Sequence, residues 1–252
     1  MNLLLLPSQV QTLRLPPDDP RLEHILKVLG KRVGETLDVG AVNGPRGKAT
    51  LQRDNEERGY HLDIVWQTTP PALLPIQLLT PFPRPQTARR ILQDGTALGI
   101  GAFHFFPGAK AELSYSKASI WQNKEYEDYL KKGAAQAFST WIPKVTLHPS
   151  LEAALESCSE AELRMALDIY EATAALRPAS EVCQKPATAA LALGGERGWA
   201  KSERQSLAQS GFQLVHMGSR ILRTETAMAA AMGIILHNLN WWGDPREAIP
   251  KD

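Results

Sequence analysis

The spacing of apolar residues along the chain changes near residue 75. Before this point, apolar residues come in short runs separated by turn residues such as Asn43-Gly44-Pro45, a pattern typical of β-strands. We predict strands at residues 3–6, 36–39, 48–52 and 60–66. The first part of the chain is therefore expected to form a small β-barrel.

One segment of this first part has a helical spacing instead. Apolar residues within 21–29 recur three or four positions apart, which places them on one face of a helix. They are Leu22, Ile25, Leu26 and Leu29. His24 and Lys27 fall beside or opposite that face, where a solvent-exposed or ligand-binding role is open to them.

A proline-rich segment separates the two parts of the chain. Residues 68–75 read TTPPALLP, and three prolines in eight residues disfavour both a helix and a central strand. We therefore predict a linker here. The predicted domains are residues 1–70 and 71–243, with a tail over 244–252.

After the linker, five apolar runs alternate with helical segments. The predicted strands are 76–79, 102–106, 164–169, 189–193 and 213–217, and the predicted helices are 87–98, 123–138, 151–156, 201–210 and 224–242. Such alternation predicts an α/β domain with a mostly parallel sheet. The last helix is apolar nearly all round, so it is expected to lie at the centre of its domain or at a subunit interface.

Composition and charge restrict the class of protein only loosely. A chain of 252 residues with 43% apolar and 22% charged residues is typical of a globular protein. Because the net charge is only +1, any surface that binds nucleic acid must be a local basic patch. Three clusters are candidates, although a solvated face explains each of them too: Lys27, Lys31, Arg32, Arg46 and Lys48; Arg84, Arg89 and Arg90; Arg220 and Arg223.

Cysteine content and the N-terminus indicate a cytoplasmic protein. The apolar run at residues 3–6 stops at Pro7 and is too short for a signal peptide. Cys158 and Cys183 are the only cysteines, and neither belongs to a CxxC pair or to a zinc-binding pattern. We therefore expect no disulfide framework and no metal site.

Two glycine-containing turns follow predicted strands and are candidate ligand sites. In parallel sheets, ligands bind beyond the carboxyl ends of the strands, where small residues let the backbone approach the ligand. The first turn lies in residues 191–199 (LALGGERGW) and the second in residues 214–227 (LVHMGSRILRTETA). A purely structural turn explains such glycines as well. The sequence contains no GxSxG, GxxxxGK[ST], HExxH or GxGxxG motif, which disfavours the common hydrolase, nucleotide-hydrolysing, zinc-protease and dinucleotide-binding classes.

The second turn carries a resemblance to a known family. Residues 217–227, MGSRILRTETA, resemble the signature LGxRILRxETA of the RsmE family, the ribosomal RNA uridine-N3 methyltransferases. Residues 194–199 followed by Glu203 resemble that family's GPEGGF…E turn. Shorter matches occur at Leu98-Gly99, Ala135-Gln136 with Pro143, residues 169–172, and His24 to Gly34. The resemblance thus covers nearly the whole chain.

This resemblance implies a fold and a cofactor. It implies an N-terminal PUA-like β-barrel that binds RNA, and a C-terminal trefoil-knotted SPOUT methyltransferase domain that forms a homodimer. S-adenosylmethionine is implied to bind among three turns. The residues implied are Tyr170, Glu171, Leu193, Gly194, Gly195, Glu196, Gly198, Trp199, Met217, Gly218, Arg220, Ile221, Leu222 and Thr224.

The same resemblance implies catalytic roles at the start of the last helix. Uridine N3 must lose a proton before it attacks, so a cation beside O2 and O4 would favour the reactive form. We assign this role to Arg223, with an ion pair to Glu225 or an interface position as the structural alternative. Glu225 either accepts a proton or stabilises the helix N-terminus, and Thr224 is expected to cap that helix. The residues expected to bind RNA are His24, Lys27, Lys31, Arg32, Arg84 and Arg89.

Several positions depart from the family pattern. Gly195 and Arg197 replace a proline and a glycine of the cofactor turn, Ala97 replaces a glutamate, and Gly30 and Ser139 replace arginines. These departures leave two alternatives open: an RNA-binding protein that has lost catalysis, and a methyltransferase of this fold that acts on another RNA.

Overall fold

The computed structural model describes residues 3–54, 59–176 and 186–244. The described chain divides into two compact units. The first contains residues 3–72 together with 134–142, and the second contains 73–133 and 143–244. Cys183 and the predicted tail beyond Asp244 lie outside the described residues.

The first unit is built on a five-stranded, mostly antiparallel sheet. Its order is β1(Leu4–Leu6), β3(Thr36–Ala41), β4(Arg46–Arg53), β5(Tyr60–Trp66) and β2(Thr12–Leu15), and only the β1–β3 pair is parallel. The four strands expected from the sequence are confirmed. Strand β2 was missed because it has only four residues and only Leu15 is fully buried. The core of the unit is formed by alternate residues such as Leu6, Leu51 and Leu62, which are 0% exposed.

The helical segment of this unit differs from the expected α-helix. Helix α1(Pro20–Glu23) starts at Asp19, whose carboxylate accepts a hydrogen bond from the Arg21 N–H (2.8 Å), and it continues as a π-helical turn, His24–Val28. Because the turn widens, Ile25 is buried while Leu26 is 37% exposed, so the predicted single apolar face is wrong at Leu26. Gly30 follows with a φ of +63°, a conformation that favours glycine over the family's arginine.

One predicted basic patch is also wrong in part. Arg46 is buried (4% exposed), and its guanidinium donates to the carbonyl of Phe138 (3.3 Å). In the same unit, Thr140 Oγ1 donates to the Gly44 carbonyl (2.6 Å). The guanidinium of Arg46 therefore fixes residues 134–142 in the first unit and does not contribute to an exposed cationic surface.

The second unit contains the expected parallel sheet, with seven strands. Their order is β10(Ala174–Ala175), β12(Gln213–His216), β9(Leu163–Leu167), β11(Ala189–Leu193), β6(Leu74–Pro81), β7(Ile100–Phe106) and β8(Lys144–Leu147), all paired in parallel. The helices are α2(Pro85–Ala97), α3(Leu113–Ser116), α4(Ser119–Gln122), α5(Tyr126–Gln136), α6(Leu151–Glu156), α7(Lys201–Gln209) and α8(Thr224–Leu239). Residues 134–136 of α5 belong to the first unit. Short strands β8 and β10 were not anticipated, and β6 begins inside the predicted linker.

Helix α8 is covered on one side only. Met228, Met232 and Ile235 are buried, and the helix packs on α2 and β11. Ala229 and Ala230 are exposed on the opposite face. The sequence-based expectation of cover on every side is thus not met by the described residues of the single chain.

A buried polar cluster lies across the parallel sheet. His104 Nδ1 lies 2.9 Å from His148 Nε2, and His104 Nε2 lies 2.9 Å from the Gln77 Oε1 atom. Burial lowers the pKa of His104 to about 4, with smaller contributions from His148 and Lys144, and burial also lowers the pKa of His148. His104 is therefore neutral in the folded protein at physiological pH.

This cluster predicts a loss of stability in mild acid. His104 has a pKa near 6.5 when unfolded and about 4 when folded, so the unfolded chain takes up the proton first as the pH falls. The stabilisation is complete above pH 6.5 and is lost between pH 6.5 and 4. We expect the free energy of unfolding, measured with urea, to fall by about 2 kcal/mol between pH 7 and pH 5 on account of this group. His104→Gln removes the titrating ring, so a variant with an unchanged pH dependence would contradict the assignment.

Candidate functional site

Three turns meet at one edge of the parallel sheet. Strand β9 lies between β12 and β11 in the sheet, so the segments that follow these three strands are neighbours at their carboxyl ends. These segments are residues 168–171, 194–199 and 217–223. Distant parts of the sequence are therefore brought together by the strand order.

The three turns enclose a cavity of about 290 Å³, here called the cofactor cavity. Its lining includes all but one of the residues expected to bind cofactor: Tyr170, Leu193, Gly194, Gly195, Glu196, Gly198, Trp199, Met217, Gly218, Arg220, Ile221, Leu222 and Thr224. The exception is Glu171, which does not line the cavity. The lining residues that were not among the expected cofactor-binding residues are Leu167, Asp168, Ile169, Arg197, Val215, His216 and Ala227.

Glycines shape the backbone of the turns. Gly218 has a φ of +95°, and a Cβ atom built on it would meet no other atom within 4 Å, so a side chain there would extend into open space. Gly194 packs against Gly198, because a Cβ on Gly194 would lie 3.1 Å from the Cα of Gly198. Glycine at Gly218 leaves the space free for a ligand, whereas at Gly194 it permits close backbone packing.

A buried ion pair supports the first turn. Asp168 Oδ1 accepts hydrogen bonds from the backbone N–H groups of Tyr170 (2.8 Å) and Glu171 (2.6 Å), and Asp168 Oδ2 accepts one from Arg204 Nε (2.7 Å). Burial raises the pKa of Asp168, but the hydrogen bonds from Glu171, Arg204 and Tyr170 outweigh it and lower the pKa overall. Asp168 is thus an ionised anchor. The sequence did not predict the ion pair between Asp168 and Arg204, because Arg204 lies on α7, 36 residues from Asp168.

The same arginine positions an aromatic ring at the cavity. The guanidinium of Arg204 lies 5.3 Å from the centre of the Tyr170 ring, and Tyr170 remains 69% exposed. On the second turn, Trp199 is buried and its indole N–H donates to the Leu167 carbonyl (2.9 Å). Tyr170 therefore offers a supported planar surface on which a planar ligand ring could stack.

Two glutamates hold the glycine turn in place. Glu203 is buried and accepts hydrogen bonds from the backbone N–H groups of Ala200 (2.7 Å) and Ala109 (2.8 Å). Glu196 Oε1 accepts a hydrogen bond from the Arg84 N–H (3.1 Å). Glu203 therefore has a structural role, and Glu196 connects the turn to the start of α2.

Two of the departures from the family pattern, Gly195 and Arg197, line the cofactor cavity. The Arg197 guanidinium lies 3.8 Å from the Glu112 carboxylate. The backbone carbonyl of Arg197 accepts a hydrogen bond from Lys110 Nζ (3.4 Å). The guanidinium thus has an ion-pair partner beside the cavity. Of the other departures, Ala97 is the last residue of α2, and Ser139 Oγ accepts a hydrogen bond from the Trp141 N–H (3.2 Å) in the first unit.

The two candidate catalytic residues line a second cavity, of about 490 Å³, at the start of α8. Arg223 is the N-cap residue of α8, and Thr224 is the first helical residue, so the expected capping role of Thr224 is wrong. Glu225 pairs with Arg90 (3.0 Å) rather than with Arg223. Within the described part of the chain, the Arg223 guanidinium forms no hydrogen bond or ion pair.

The residues expected to bind RNA are divided between the two units. His24, Lys27, Lys31 and Arg32 lie on or just after the π-helical turn of the first unit. Lys27 pairs with Glu23 (2.9 Å). Arg84 and Arg89 lie on the second unit, where Arg84 Nε donates to the Tyr115 hydroxyl (2.8 Å) and Arg89 lies over the Tyr129 ring.

Residues 3–54, 59–176 and 186–244 contain neither a metal-binding cluster nor a membrane-spanning helix. Within these ranges, no three His, Cys, Asp or Glu side chains are grouped so that they could hold a metal ion. Over the same ranges, no helix is long and apolar enough to cross a membrane.

Comparison with known proteins identifies relatives of nearly the full length. The profile of a family described as an RNA methyltransferase domain matches residues 70–236. The chain is 32% identical over 241 residues to ribosomal RNA small subunit methyltransferase E of Treponema pallidum, covering 92% of this chain and 87% of that protein. It is 26% identical to ribosomal RNA small subunit methyltransferase E 1 of Borreliella burgdorferi, covering 92% and 95%.

Solved structures have the same fold. The fold is similar to that of ribosomal RNA small subunit methyltransferase E from Neisseria gonorrhoeae bound to S-adenosyl methionine, with a TM-score of 0.75, 24% identity and coverage of 94% of this chain and 97% of that one. A methyltransferase of Legionella pneumophila, also in complex with S-adenosylmethionine, gives a TM-score of 0.77 at 18% identity, covering 93% and 96%.

Proposed function

Since the chain belongs to the ribosomal RNA small subunit methyltransferase E family, we propose that it methylates N3 of a uridine in 16S ribosomal RNA with S-adenosylmethionine. The observation that carries this proposal is the cofactor cavity, which is formed by three turns and adjoins a second cavity lined by arginines. A donor site and an acceptor site that share a wall are what methyl transfer between two ligands requires.

The cofactor cavity suits S-adenosylmethionine. Its volume of about 290 Å³ lies just below the usual range of about 300 to 1,000 Å³ for small-ligand sites, and its walls combine apolar side chains with the backbone of three turns. The open space above Gly218 lets a ligand approach the main chain, which can bind an adenine edge without side chains. Tyr170, supported by Arg204, provides a stacking surface for the adenine ring.

When bound, S-adenosylmethionine would supply a methyl group carried on a positively charged sulfur, for which a neutral thioether is the leaving group. The residues of the chain hold the uracil ring in line with that methyl group and favour loss of its N3 proton to solvent. Arg223 stabilises the negative charge that spreads over O2 and O4 of the ionised base. Its guanidinium is available for this role, because no described residue pairs with it.

Glu225 is given a supporting role in this mechanism. Its carboxylate is paired with Arg90 and lies in the first turn of α8, where a negative charge stabilises the helix N-terminus. We therefore propose that Glu225 orders the start of α8 and Arg90, and that the N3 proton leaves to solvent.

The family also suggests an architecture for the whole chain. We propose that residues 1–70 form a PUA-like barrel that contacts RNA through His24, Lys27, Lys31 and Arg32. Residues 71–243, apart from residues 134–142 of the first unit, form a trefoil-knotted SPOUT methyltransferase domain. The enzyme acts in the cytoplasm, where ribosomal RNA is available.

Calorimetric titration with S-adenosylmethionine tests the proposed function. One-site binding is expected, and absence of binding would favour an RNA-binding protein without catalysis, the alternative that Arg197 and Ser139 suggested. Methylation mapping of ribosomal RNA from a deletion strain then identifies the nucleotide. Loss of a single 3-methyluridine from 16S RNA is expected, whereas a methylated base lost from another RNA would contradict the substrate assignment.

We also propose that the protein is a homodimer formed through α8. The exposed face of this helix carries Ala229 and Ala230, small residues that allow a second helix to approach closely. Light scattering at micromolar concentration is expected to give twice the mass of the chain. Ala230→Glu should yield monomers, and Ala208→Glu, at an exposed position on α7, should remain dimeric. A monomeric wild-type protein would contradict the proposal.

A further inference from the structure

We propose that the target uridine binds in the cavity between the first turns of α2 and α8, with Gln86 of α2 as a contact to the base. This inference rests on the proposed function and adds the location of the acceptor. The cavity, here called the acceptor cavity, measures about 490 Å³. Its lining residues are Arg84, Gln86, Thr87, Arg90, Gly195, Glu196, Ile221, Leu222, Arg223, Thr224 and Glu225.

The acceptor cavity adjoins the cofactor cavity. Five residues line both of them: Gly195, Glu196, Ile221, Leu222 and Thr224. The nucleophile must lie directly behind the methyl group, so the acceptor base must occupy space that adjoins the donor. The acceptor cavity meets this requirement.

A third cavity, of about 180 Å³, also adjoins the glycine turn. Each of its three cations has a partner: Arg84 bonds the Tyr115 hydroxyl, Lys110 the Arg197 carbonyl, and Arg197 the Glu112 carboxylate. Its volume is well below the usual range of about 300 to 1,000 Å³ for a ligand site, which the cofactor cavity, at about 290 Å³, nearly reaches. The acceptor cavity, by contrast, lies within that range and contains Arg223 without a partner among the described residues.

The residues at the two helix starts support the choice of the larger cavity. Arg84 is the N-cap residue of α2 and Arg223 is the N-cap residue of α8, and neither side chain makes a capping hydrogen bond. A cation at the positive end of a helix is unfavourable by itself. The Arg84 guanidinium already bonds the Tyr115 hydroxyl, whereas Arg223 has no partner among the described residues, so its position is explained if a negatively charged group such as an ionised uracil binds beside it.

The chemistry of the lining favours uracil over cytosine. Uracil presents two carbonyl oxygens, O2 and O4, which accept hydrogen bonds from Arg223 and from the amide NH₂ of Gln86. Cytosine presents an amino group in place of O4. The amide oxygen of Gln86 can accept a hydrogen bond from it but the Arg223 guanidinium cannot, so uracil is favoured when Arg223 faces O4. In the reaction, the N3–H bond breaks and its proton leaves to solvent. The N3 electron pair then forms the bond to the methyl carbon as the carbon–sulfur bond breaks.

The test compares one variant in each cavity. Gln86→Leu alters only the acceptor cavity and Lys110→Met only the smaller one. With small ribosomal subunits from a deletion strain as the substrate, Gln86→Leu is expected to lower kcat/KM for RNA by about tenfold or more. Its affinity for S-adenosylmethionine, measured by calorimetry, should not change. Lys110→Met should stay close to wild type in both measurements.

Other outcomes would overturn the inference. A larger loss in Lys110→Met than in Gln86→Leu would place the acceptor in the smaller cavity, and weaker cofactor binding by Gln86→Leu would make the residue part of the donor site. Fluorescence polarisation measures the affinity of the protein for labelled oligouridylate even if the wild-type protein transfers no methyl group. Equal oligouridylate affinity of wild type and Gln86→Leu would then refute the acceptor site, separately from any failure of the proposed function.

Discussion

Arg223→Ala is expected to lose methyl transfer by roughly a hundredfold or more while it keeps the fold, the oligomeric state and the affinity for S-adenosylmethionine. This is the usual cost of removing one positioned donor from a site where charge develops. The structure makes a separate stability defect unexpected, because the Arg223 guanidinium has no partner among the described residues. Single-turnover rates on ribosomal subunits, with mass and melting data for each variant, measure the effect.

Two further variants distinguish catalysis from structure. Arg223→Lys should recover little activity, because a flexible ammonium group does not reproduce the planar guanidinium. Glu225→Ala should leave more activity than Arg223→Ala, since Glu225 pairs with Arg90 and not with Arg223. Equal defects in Arg223→Ala and Glu225→Ala, together with early melting, would instead indicate a structural role for Arg223. A fully active Arg223→Ala enzyme would refute the assignment and direct attention to Arg220 or Arg197.

Much of the second unit could be predicted from local pattern. A short apolar run bounded by turn residues, such as residues 189–193, is typical of a buried strand, so the parallel sheet could be predicted from the sequence. The order of these strands was not visible. Only the position of β9 between β11 and β12 brings Tyr170, Gly194 and Gly218 to one cavity, and the family resemblance had to supply that grouping.

The contacts that the sequence could not supply are those between distant polar residues. Asp168 and Arg204 have no motif, and their ion pair depends on α7 packing beside the turn after β9. Arg46 was assigned to a basic patch from its neighbours in sequence, yet its guanidinium is buried against Phe138. Charge clusters along a chain do not report burial, because burial depends on which distant segment covers them.

The sequence also did not predict the widening of the helix into a π-helical turn at His24–Val28. Residues 21–29 have an α-helical spacing, and the buried positions of Leu22 and Ile25 follow it. The extra residue in the π-helical turn moves Leu26 toward solvent, where its side chain is 37% exposed. Such π-helical turns are frequent at functional sites, which agrees with the proposed RNA contact of this segment.

Gly218→Val is expected to abolish binding of S-adenosylmethionine in a protein that still folds. The valine side chain would extend into the cofactor cavity, where no atom now lies within 4 Å of the Cβ position, and would occupy the space needed by the ligand. The φ of +95° adds backbone strain, because β-branched residues rarely adopt positive φ. We expect roughly 1 to 3 kcal/mol of lost stability from that strain.

A matched control separates strain from occlusion. Gly34 lies in the first unit with a φ of +87°, and its Cβ position is equally free of contacts within 4 Å. Gly34→Val therefore introduces comparable backbone strain without filling the cofactor cavity. Calorimetric titration should detect cofactor binding in Gly34→Val and none in Gly218→Val, with similar losses of stability in urea unfolding. If Gly218→Val bound S-adenosylmethionine with wild-type affinity, the ligand would have to bind elsewhere, and the roles proposed for Tyr170 and Arg223 would both fail with it.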